Sequence, residues 1–335
     1  MTKPRILLVA TGGTIASAED GNGLTPQLTG EQLAGYVPQA AELADIDIVQ
    51  PMNIDSTNMR PADWQAIGDA ILAQYEDYDG FVVLHGTDTM AYTAAALSYL
   101  IQDSPRPIVL TGSQQPMGSP FTDARINLYQ SVLYAADPDS HDVAVVFGGK
   151  VVAGTRARKQ RTMSFNAFTS VNYPELALIR NDRIIRTAPA GSGDARAASE
   201  PRVYHDLDER VFVLKLTPEI NPSVFELLRR DYDAIILETF GVGGIPDTLH
   251  DAIFGWVDSG RTLVVTTQVP EEGLDLGVYE VGRAYAEHPG ILKGADMTCE
   301  ALVAKTMWAL GQTREPERLR ELFYRPVNCD RLPEA

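Results

Sequence analysis

Residues 9–17 of the chain read VATGGTIAS and directly follow the run RILL at positions 5–8. An apolar run rich in branched side chains is typical of a buried β-strand. Gly12 and Gly13 then predict a tight turn, because glycine adopts backbone conformations that other residues rarely adopt. A turn does not require a hydroxyl on each side, however, so Thr11 and Thr14 need a further explanation. The stretch therefore predicts a strand that ends in groups with a function.

Short β-branched runs alternate with longer amphipathic stretches along most of the chain. The short runs predict strands at 5–10, 46–50, 80–85, 107–111, 143–148, 211–216, 234–238 and 262–267. The amphipathic stretches predict helices at 60–77, 89–102, 122–136, 222–231, 247–259, 297–311 and 315–324. Alternation of this kind predicts an α/β fold with a mostly parallel sheet flanked by helices.

The length of the chain, 335 residues, exceeds what one compact core usually holds. The alternation stops around 187–203, which is rich in Ala, Gly, Ser and Pro and lacks apolar periodicity, as is typical of an exposed linker. We therefore predict a larger N-terminal α/β domain over 1–190, a linker over 191–207 and a smaller C-terminal α/β domain over 208–335.

Composition and charge argue against several classes of partner. The formal net charge is −17, and an acidic field repels phosphate, so we expect neither a nucleic acid nor a membrane as partner. The two cysteines and five histidines show no metal-ligand spacing, so we expect no metal. No apolar run approaches the ~20 residues of a membrane span. The first strand is predicted from residue 5 without a signal peptide, so we expect a cytoplasmic protein.

Polar clusters follow four of the predicted strands. They are Thr11–Thr14, Asn53–Asn58, His85–Thr89 and Gly112–Pro116. Ligands of parallel α/β sheets bind at the carboxyl ends of the strands, where the connecting loops meet. We therefore expect the four clusters to line one cleft.

Each of these residues also has a structural interpretation. Thr14 and Thr87 can cap the helices that follow them, and Asp88 can favour a helix N-terminus by its charge. His85, at the end of a buried strand, is more often a hydrogen-bonded structural residue than a base. Lys159 belongs to a basic run at 156–161, just past a predicted turn at 151–153, and such a run is usually solvated. The residues alone leave these alternatives open.

A chemical interpretation links three of these side chains. A threonine hydroxyl is a poor nucleophile unless a base takes its proton. A lysine is such a base when burial or nearby charge lowers its pKa, and a neighbouring carboxylate orients it. Thr87, Lys159 and Asp88 supply this set and leave Thr14 free to attack.

Several motifs, taken together, resemble the bacterial-type L-asparaginases of the asparaginase/glutaminase family. They are ATGGTIAS (10–17), MNIDSTNM (52–59), LHGTDTMAYTAAALSYL (84–100), TGSQQP (111–116), GTRARKQRT (154–162), GVGGIPD (241–247) and GADMTCEALVAKTMWALGQ (294–312). The resemblance spans essentially the whole chain and is greatest to the cytoplasmic type I branch. It implies an enzyme that hydrolyses L-asparagine to L-aspartate and ammonia without a cofactor, and it leaves open a minor glutaminase activity.

The resemblance also implies roles for individual residues. Thr14 matches the nucleophile that forms an acyl-enzyme, and Thr87, Asp88 and Lys159 match the second catalytic group. Which threonine attacks in which step stays open. The implied substrate-binding residues are Thr87, Asp88 (for the α-ammonium), Asp55, Ser56 and Thr57 (for the α-carboxylate) and Ser113 (near the side-chain amide).

Two further implications concern the partner subunit and the loop after the nucleophile. The resemblance implies a homo-oligomer, a dimer or tetramer, whose partner completes the active site, with 241–244 and 279–283 as candidate contributors. Many members carry in that loop a tyrosine that activates the nucleophile, whereas Leu24 stands near this position here. The group that activates Thr14 is therefore unassigned.

Three alternatives remain at this stage. The amidase subunit of a tRNA-dependent amidotransferase carries an extra N-terminal domain, whereas the first strand here is predicted from residue 5. A non-catalytic amino-acid sensor has no need for both threonines and Lys159. A nucleotide-binding α/β protein is the weakest alternative, because TGGT lacks the Lys-Ser/Thr pair of a phosphate loop and the spacing of a dinucleotide fingerprint.

Overall fold

The computed structural model describes residues 3–13, 15, 17–19, 24–26, 35–187, 200–277 and 280–332, with the backbone alone for 17–19, 24–26 and 280–283. The chain divides into two compact units. Unit 1 comprises Met1–His205 and Val327–Cys329, and unit 2 comprises Asp206–Pro326 and Asp330–Ala335. The predicted boundaries at 190 and 208 stay a prediction, and residues 191–199 of the predicted linker lie outside the described residues.

Unit 1 contains a large sheet and several short strand pairs. Its strands are β1 Arg5–Ala10, β2 Ser17–Glu19, β3 Leu24–Pro26, β4 Asp45–Val49, β5 Gly80–Leu84, β6 Ile101–Gln102, β7 Ile108–Thr111, β8 Val143–Phe147, β9 Lys150–Ala153, β10 Ala157–Lys159, β11 Phe168–Ser170, β12 Ala177–Arg180, β13 Arg183–Arg186 and β14 Arg202–Val203. Its helices are α1 Ala40–Leu43, α2 Pro61–Leu72, α3 Met90–Leu100 and α4 Ala124–Ala135. Single 3₁₀ turns cover Ser56–Asn58 and Tyr75–Asp77.

The large sheet has the strand order β13-β12-β9-β8-β7-β5-β1-β4. The five strands from β4 to β8 pair in parallel, whereas β9, β12 and β13 add an antiparallel edge. The prediction of a turn at 151–153 was wrong, because these residues lie in β9 and pair with β8. Gly148 and Gly149 make the reversal between the two strands with φ of 59° and 78°, a region that glycine tolerates best.

Helix α3 differs from its prediction as an amphipathic helix. Ten of its eleven residues are buried, so it has no solvent face. Alanines at positions 91, 94, 95 and 96 explain this, because small side chains let neighbouring elements approach the helix closely on several sides. This burial holds α3 against the sheet, and Thr87 and Asp88 lie in the loop just before the helix.

Unit 2 is a smaller α/β unit. Its strands are β15 Val211–Lys215, β16 Ala234–Thr239, β17 Thr262–Thr267 and β18 Ile291–Lys293, which form a parallel sheet in this order. Its helices are α5 Ser223–Leu228, α6 His250–Asp258, α7 Glu280–Glu287, α8 Cys299–Gln312 and α9 Pro316–Tyr324. A 3₁₀ turn at Asp247–Leu249 precedes α6. The sequence did not predict β18 or α7.

The predicted fold class is confirmed by these two units. A mostly parallel sheet with helices forms the larger unit, and a parallel sheet forms the smaller one. Within the described part of the chain, no helix is long and apolar enough to cross a membrane.

Candidate active site

The turn after β1 packs its two glycines against neighbouring backbone. Gly12 and Gly13 have φ of 105° and 80°, where other residues are strained. A Cβ on Gly13 would lie 2.3 Å from the Cα of Gly86, and one on Gly12 would lie 2.5 Å from the carbonyl oxygen of Ile54. Glycine is therefore required at both positions, because the loops that follow β1, β4 and β5 are in contact here and leave no room for a side chain.

Backbone hydrogen bonds fix this junction. The amide of Thr11 donates to the carbonyl of Leu84 (3.0 Å), and that of Gly13 donates to Ile54 (3.1 Å). The hydroxyl of Thr11 also donates to the Leu84 carbonyl at 2.9 Å and is buried, so Thr11 stabilises the turn. Thr14, the predicted nucleophile, lies outside the described residues. The side chain of Leu24 is likewise outside them, and so is Tyr279.

Lys159 joins the two predicted catalytic residues of the loop between β5 and α3. Its Nζ lies 2.8 Å from the Oγ1 of Thr87 and 2.6 Å from the Oδ1 of Asp88. Lys159 lies in a strand: it ends β10, where it pairs with Phe168 of β11. A strand holds a side chain more rigidly than a loop does. Lys159 is only 18% exposed, whereas Asp88 is 57% exposed and able to face a ligand.

The hydrogen bonds around Thr87 determine the acceptor toward which its hydroxyl proton points. An ammonium has only donors, so Lys159 donates to the Thr87 oxygen. The Thr87 hydroxyl then donates to the Oε1 of Gln114, 3.2 Å away. Transfer of the Thr87 proton to Lys159 requires a neutral amine and a rotation of the hydroxyl. The capping alternative does not describe Thr87, because α3 has Thr89 at its N-cap position without a side-chain cap bond.

The 3₁₀ turn at Ser56–Asn58 lies directly beside this loop. A Cβ on Gly86 would lie 2.4 Å from the Oγ of Ser56, so the serine hydroxyl packs against the backbone of Gly86, the residue before Thr87. The hydroxyl of Thr89 donates to the Ser56 carbonyl at 2.8 Å and ties the two loops together. Ser56 is buried.

Asp55 and Thr57 face each other across the same turn. The Asp55 carboxylate accepts hydrogen bonds from the backbone amide and the hydroxyl of Thr57, both at 2.9 Å. The Asp55 carboxylate thus caps the turn, and its bonds to Thr57 hold the backbone on both sides of Ser56 in position.

The loop after β7 carries Ser113, whose hydroxyl donates to the carbonyl of Gln115 at 2.6 Å within the loop. Buried Asp123 accepts from the amides of Gln114 (3.0 Å) and Gln115 (3.1 Å). Asn127, one turn later on α4, donates to the carbonyl of Gly112 at 3.0 Å. These bonds hold the loop that supplies Gln114 to Thr87.

Sequence reasoning gave Gln114 no role beyond its place in the cluster Gly112–Pro116, and it missed Asp123 and Asn127. A weak signal exists for the last two, since they stand four residues apart, at the start of a predicted helix, where they share one helix face. The cluster that contains Gln114 was expected to share a cleft with His85–Thr89, but its hydrogen bond to Thr87 was not predicted.

His85 is a buried structural residue. Its Nδ1 lies 2.7 Å from the carbonyl oxygen of Gly86 and therefore donates, which leaves Nε2 to accept from the hydroxyl of Thr93 at 2.9 Å. The residue is fully buried, and desolvation lowers the pKa of the imidazole to about 4. A neutral imidazole thus holds the peptide that leads into Thr87.

This burial predicts a pH-dependent stability. Between pH 6.5 and 4 the unfolded chain binds a proton at His85 that the native protein does not bind. The free energy of unfolding therefore falls as the pH falls through this window. We expect a loss of about 2 kcal/mol between pH 7 and pH 5 from this residue. Urea unfolding of the wild type and of His85→Asn, which keeps a donor for Gly86, measures it. The variant should be less stable at pH 7 but show a shallower pH dependence, and an equal dependence in both proteins would contradict the prediction.

No group of three or more His, Cys, Asp or Glu residues that could hold a metal ion is present in the part of the chain that the structure describes. The described site therefore consists of a threonine, a lysine and a carboxylate at the end of a parallel strand, with amide and hydroxyl groups around them. Such a set is suited to acyl transfer.

The fold and the site define an α/β protein with side chains suited to acyl transfer. Comparison with known sequences shows the family to which it belongs. Residues 5–190 match the family model described as "Asparaginase, N-terminal", and residues 210–323 match "Glutaminase/Asparaginase C-terminal domain". The chain therefore belongs to the asparaginase family.

Three related sequences and one solved structure are similar over nearly the whole chain. The L-asparaginase of Thermococcus kodakarensis is 39% identical over 330 residues, covering 96% of this chain and 98% of the relative. The solved structure of the thermostable L-asparaginase from that organism has a TM-score of 0.89, covering 98% of this chain and all of that one. L-asparaginase 1 of Escherichia coli is 34% identical, with full coverage of both chains. A glutamyl-tRNA(Gln) amidotransferase subunit of Aeropyrum pernix is 36% identical, covering 96% of this chain and 78% of the relative.

Proposed function

We propose that the protein is an L-asparagine amidohydrolase that works through a threonine acyl-enzyme. The observation that supports this most directly is the bridge from Lys159 to both Thr87 and Asp88 at the end of β5. Gly13, the residue before Thr14, contacts Gly86 of the same loop. Membership of the asparaginase family supports the substrate class.

Substrate recognition follows from the charges of asparagine. Asp88, exposed beside Lys159, binds the α-ammonium, and the hydroxyl of Ser56 donates to the α-carboxylate. Asp55 and Thr57 hold Ser56 in place, because the Asp55 carboxylate is occupied by Thr57. Ser113 and its loop line the pocket near the side-chain amide, through backbone groups, since the hydroxyl is bonded within the loop.

The reaction proceeds in two acyl transfers. In the first, the Thr14 hydroxyl attacks the side-chain amide carbon, the developing oxyanion is stabilised by backbone N–H groups near Gly86–Thr87, and ammonia leaves with the hydroxyl proton. In the second, water attacks the aspartyl ester and releases aspartate. In this second step Thr87 and Lys159, which must be in its neutral form to act as a base, accept the proton that the attacking water loses and pass it to the departing Thr14 oxygen, and Asp88 stabilises the charged lysine.

Location and assembly are part of the same proposal. We place the protein in the cytoplasm, by its resemblance to the type I branch. We also propose a homo-oligomer, a dimer or a tetramer, with 241–244 and 279–283 as the segments that complete a partner's site. In this proposal one of these segments supplies the group that activates Thr14, in place of a tyrosine at position 24.

A second candidate function is the amidase reaction of a tRNA-dependent amidotransferase. It is favoured by the similarity to the amidotransferase subunit of Aeropyrum pernix. The two functions differ in a testable way: an amidohydrolase needs no second substrate, whereas an amidotransferase couples amide cleavage to an acceptor.

Purified wild-type protein incubated separately with L-asparagine and L-glutamine tests the proposal. We expect ammonia and L-aspartate in equal amounts from asparagine without any other component, and slower release from glutamine. Asparagine that binds without release of ammonia would indicate a sensor. Release that requires an aminoacylated tRNA would indicate the amidotransferase.

Replacement of Ser56 by alanine should mainly affect substrate binding. The lost hydroxyl donates to a charged carboxylate, so the KM for L-asparagine should rise about tenfold or more, with kcat changed less than about threefold. Steady-state ammonia release measures both constants. Ser223→Ala, on an exposed helix start in unit 2, is the control. An unchanged KM in Ser56→Ala would mean that the carboxylate lies elsewhere.

A further inference from the structure

The C-terminal segment Val327–Cys329 belongs to unit 1, although the residues on both sides of it belong to unit 2. Asn328 and Cys329 have φ of 45° and 62°, so two consecutive non-glycine residues adopt the left-handed conformation. Such backbone persists only where surrounding contacts over-determine it, and it is concentrated at sites with a function. We call these two residues the C-terminal clamp.

The clamp holds the turn that leads into β10. The Thr155 hydroxyl donates to the carbonyl of Asn328 at 2.6 Å, and the Nε of Arg156 donates to the carbonyl of Cys329. Arg156 is fully buried, and its guanidinium lies 5.5 Å from the ring centre of Tyr173. The backbone of Arg156 continues into β10, which ends at Lys159 three residues later.

The clamp also holds the helix that begins beside the other two catalytic residues. The side-chain amide of Asn328 donates to the hydroxyl of Ser98 on α3 at 2.9 Å and to the carbonyl of Val143 on β8 at 2.8 Å. Thr87 and Asp88 immediately precede α3. Asn328 is thus bonded to both elements that carry the catalytic set: the turn before Lys159 and the helix after Asp88.

We propose that Asn328 is a positioning residue that sets the distance between Lys159 and Thr87. The inference rests on the proposed function for its catalytic consequence. Proton transfer depends steeply on the distance between the two groups, and a displacement of about 1 Å can cost about 100-fold in rate. Loss of the clamp should therefore lower kcat, whereas Ser56 and the exposed Asp88 still bind the substrate and leave KM nearly unchanged.

The first test is Asn328→Gly, since glycine adopts the left-handed conformation without strain and keeps the carbonyl that accepts from Thr155. Only the bonds to Ser98 and Val143 are lost. Asn181→Gly is the matched control, because Asn181 is also left-handed (φ 56°) but is exposed in the turn between β12 and β13. We expect kcat to fall about tenfold or more in Asn328→Gly with KM within about threefold, and no change in the control.

A second pair of variants keeps the test decisive if Asn328→Gly folds poorly. Thr155→Val removes the hydroxyl at constant size and should lower kcat. Thr155→Ser retains the hydroxyl, so its kcat should be close to that of the wild type. A purely structural role would instead lower the folded fraction and leave kcat per folded molecule unchanged. Wild-type kcat in folded Asn328→Gly and Thr155→Val would overturn the proposal.

Hydrogen exchange separates this inference from the proposed function. The amide of Gln160, which donates to the Ala167 carbonyl at 2.7 Å at the end of β10, should exchange faster in Thr155→Val than in the wild type, because that variant loses the bond between the clamp and the turn before β10. An unchanged exchange rate of the Gln160 amide would overturn the proposed role of the clamp. A wild type without ammonia release would overturn the proposed function alone.

Discussion

Substitution of Lys159 by methionine is expected to lower kcat for ammonia release from L-asparagine by about 1,000-fold. Methionine matches the length of the side chain but has no amine, so the contacts of 2.8 Å to Thr87 and 2.6 Å to Asp88 are both lost. Thr87 then has no base, and Asp88 has no neighbouring cation. Steady-state kinetics on protein with a wild-type circular dichroism spectrum measure the effect.

Lys150→Met is the matched control for this variant. Lys150 pairs with Glu175 at 2.8 Å on the antiparallel edge of the sheet, so the same substitution removes an ion pair outside the candidate site. Its kcat should stay within about twofold of the wild type, because ion pairs at a surface contribute little. If Lys159→Met instead raised KM and left kcat unchanged, Lys159 would be a binding residue only.

Substitution of Thr14 by alanine should reduce turnover by at least about 10,000-fold, because the residue proposed to form the ester is then missing. The substrate-binding groups Ser56 and Asp88 remain, so the variant should still bind L-aspartate with an affinity close to that of the wild type. Ammonia release and calorimetric titration with L-aspartate measure the two properties separately.

Thr11→Val is the control within the same motif. The Thr11 hydroxyl bonds to the Leu84 carbonyl, so its loss should lower the free energy of unfolding by about 1 kcal/mol and change kcat little. Substantial turnover by Thr14→Ala, or an equal loss of turnover in Thr11→Val, would exclude the proposed division of roles between the two threonines.

The sequence predicted the parallel part of the fold because its strands are continuous apolar runs between turns. It predicted a turn at Gly12 and Gly13, but the reason for two glycines lies in the contacts with Ile54 and Gly86, which are distant along the chain. The antiparallel edge was missed because β9 reads as a turn and β13, with the sequence RIIR, is short and weakly patterned.

For the site, general chemistry and family resemblance together selected Thr87, Asp88 and Lys159, and the structure brings the three together. The residues that support them were not predictable. Asn328 lies 173 residues beyond Thr155, and Gln114 lies 27 residues beyond Thr87, so no local pattern links either pair. Support of this kind depends on tertiary packing, which a single sequence does not display.

The most direct test of the threonine ester is rapid acid quenching of the wild type during turnover of L-asparagine, followed by peptide mapping by mass spectrometry. We expect one aspartyl group bound as an ester on the peptide that contains Thr14, and none in the Thr14→Ala variant. Ammonia release at full rate without an ester on either Thr14 or Thr87 would contradict the proposed mechanism, and an ester on Thr87 alone would contradict the assignment of Thr14 as the nucleophile.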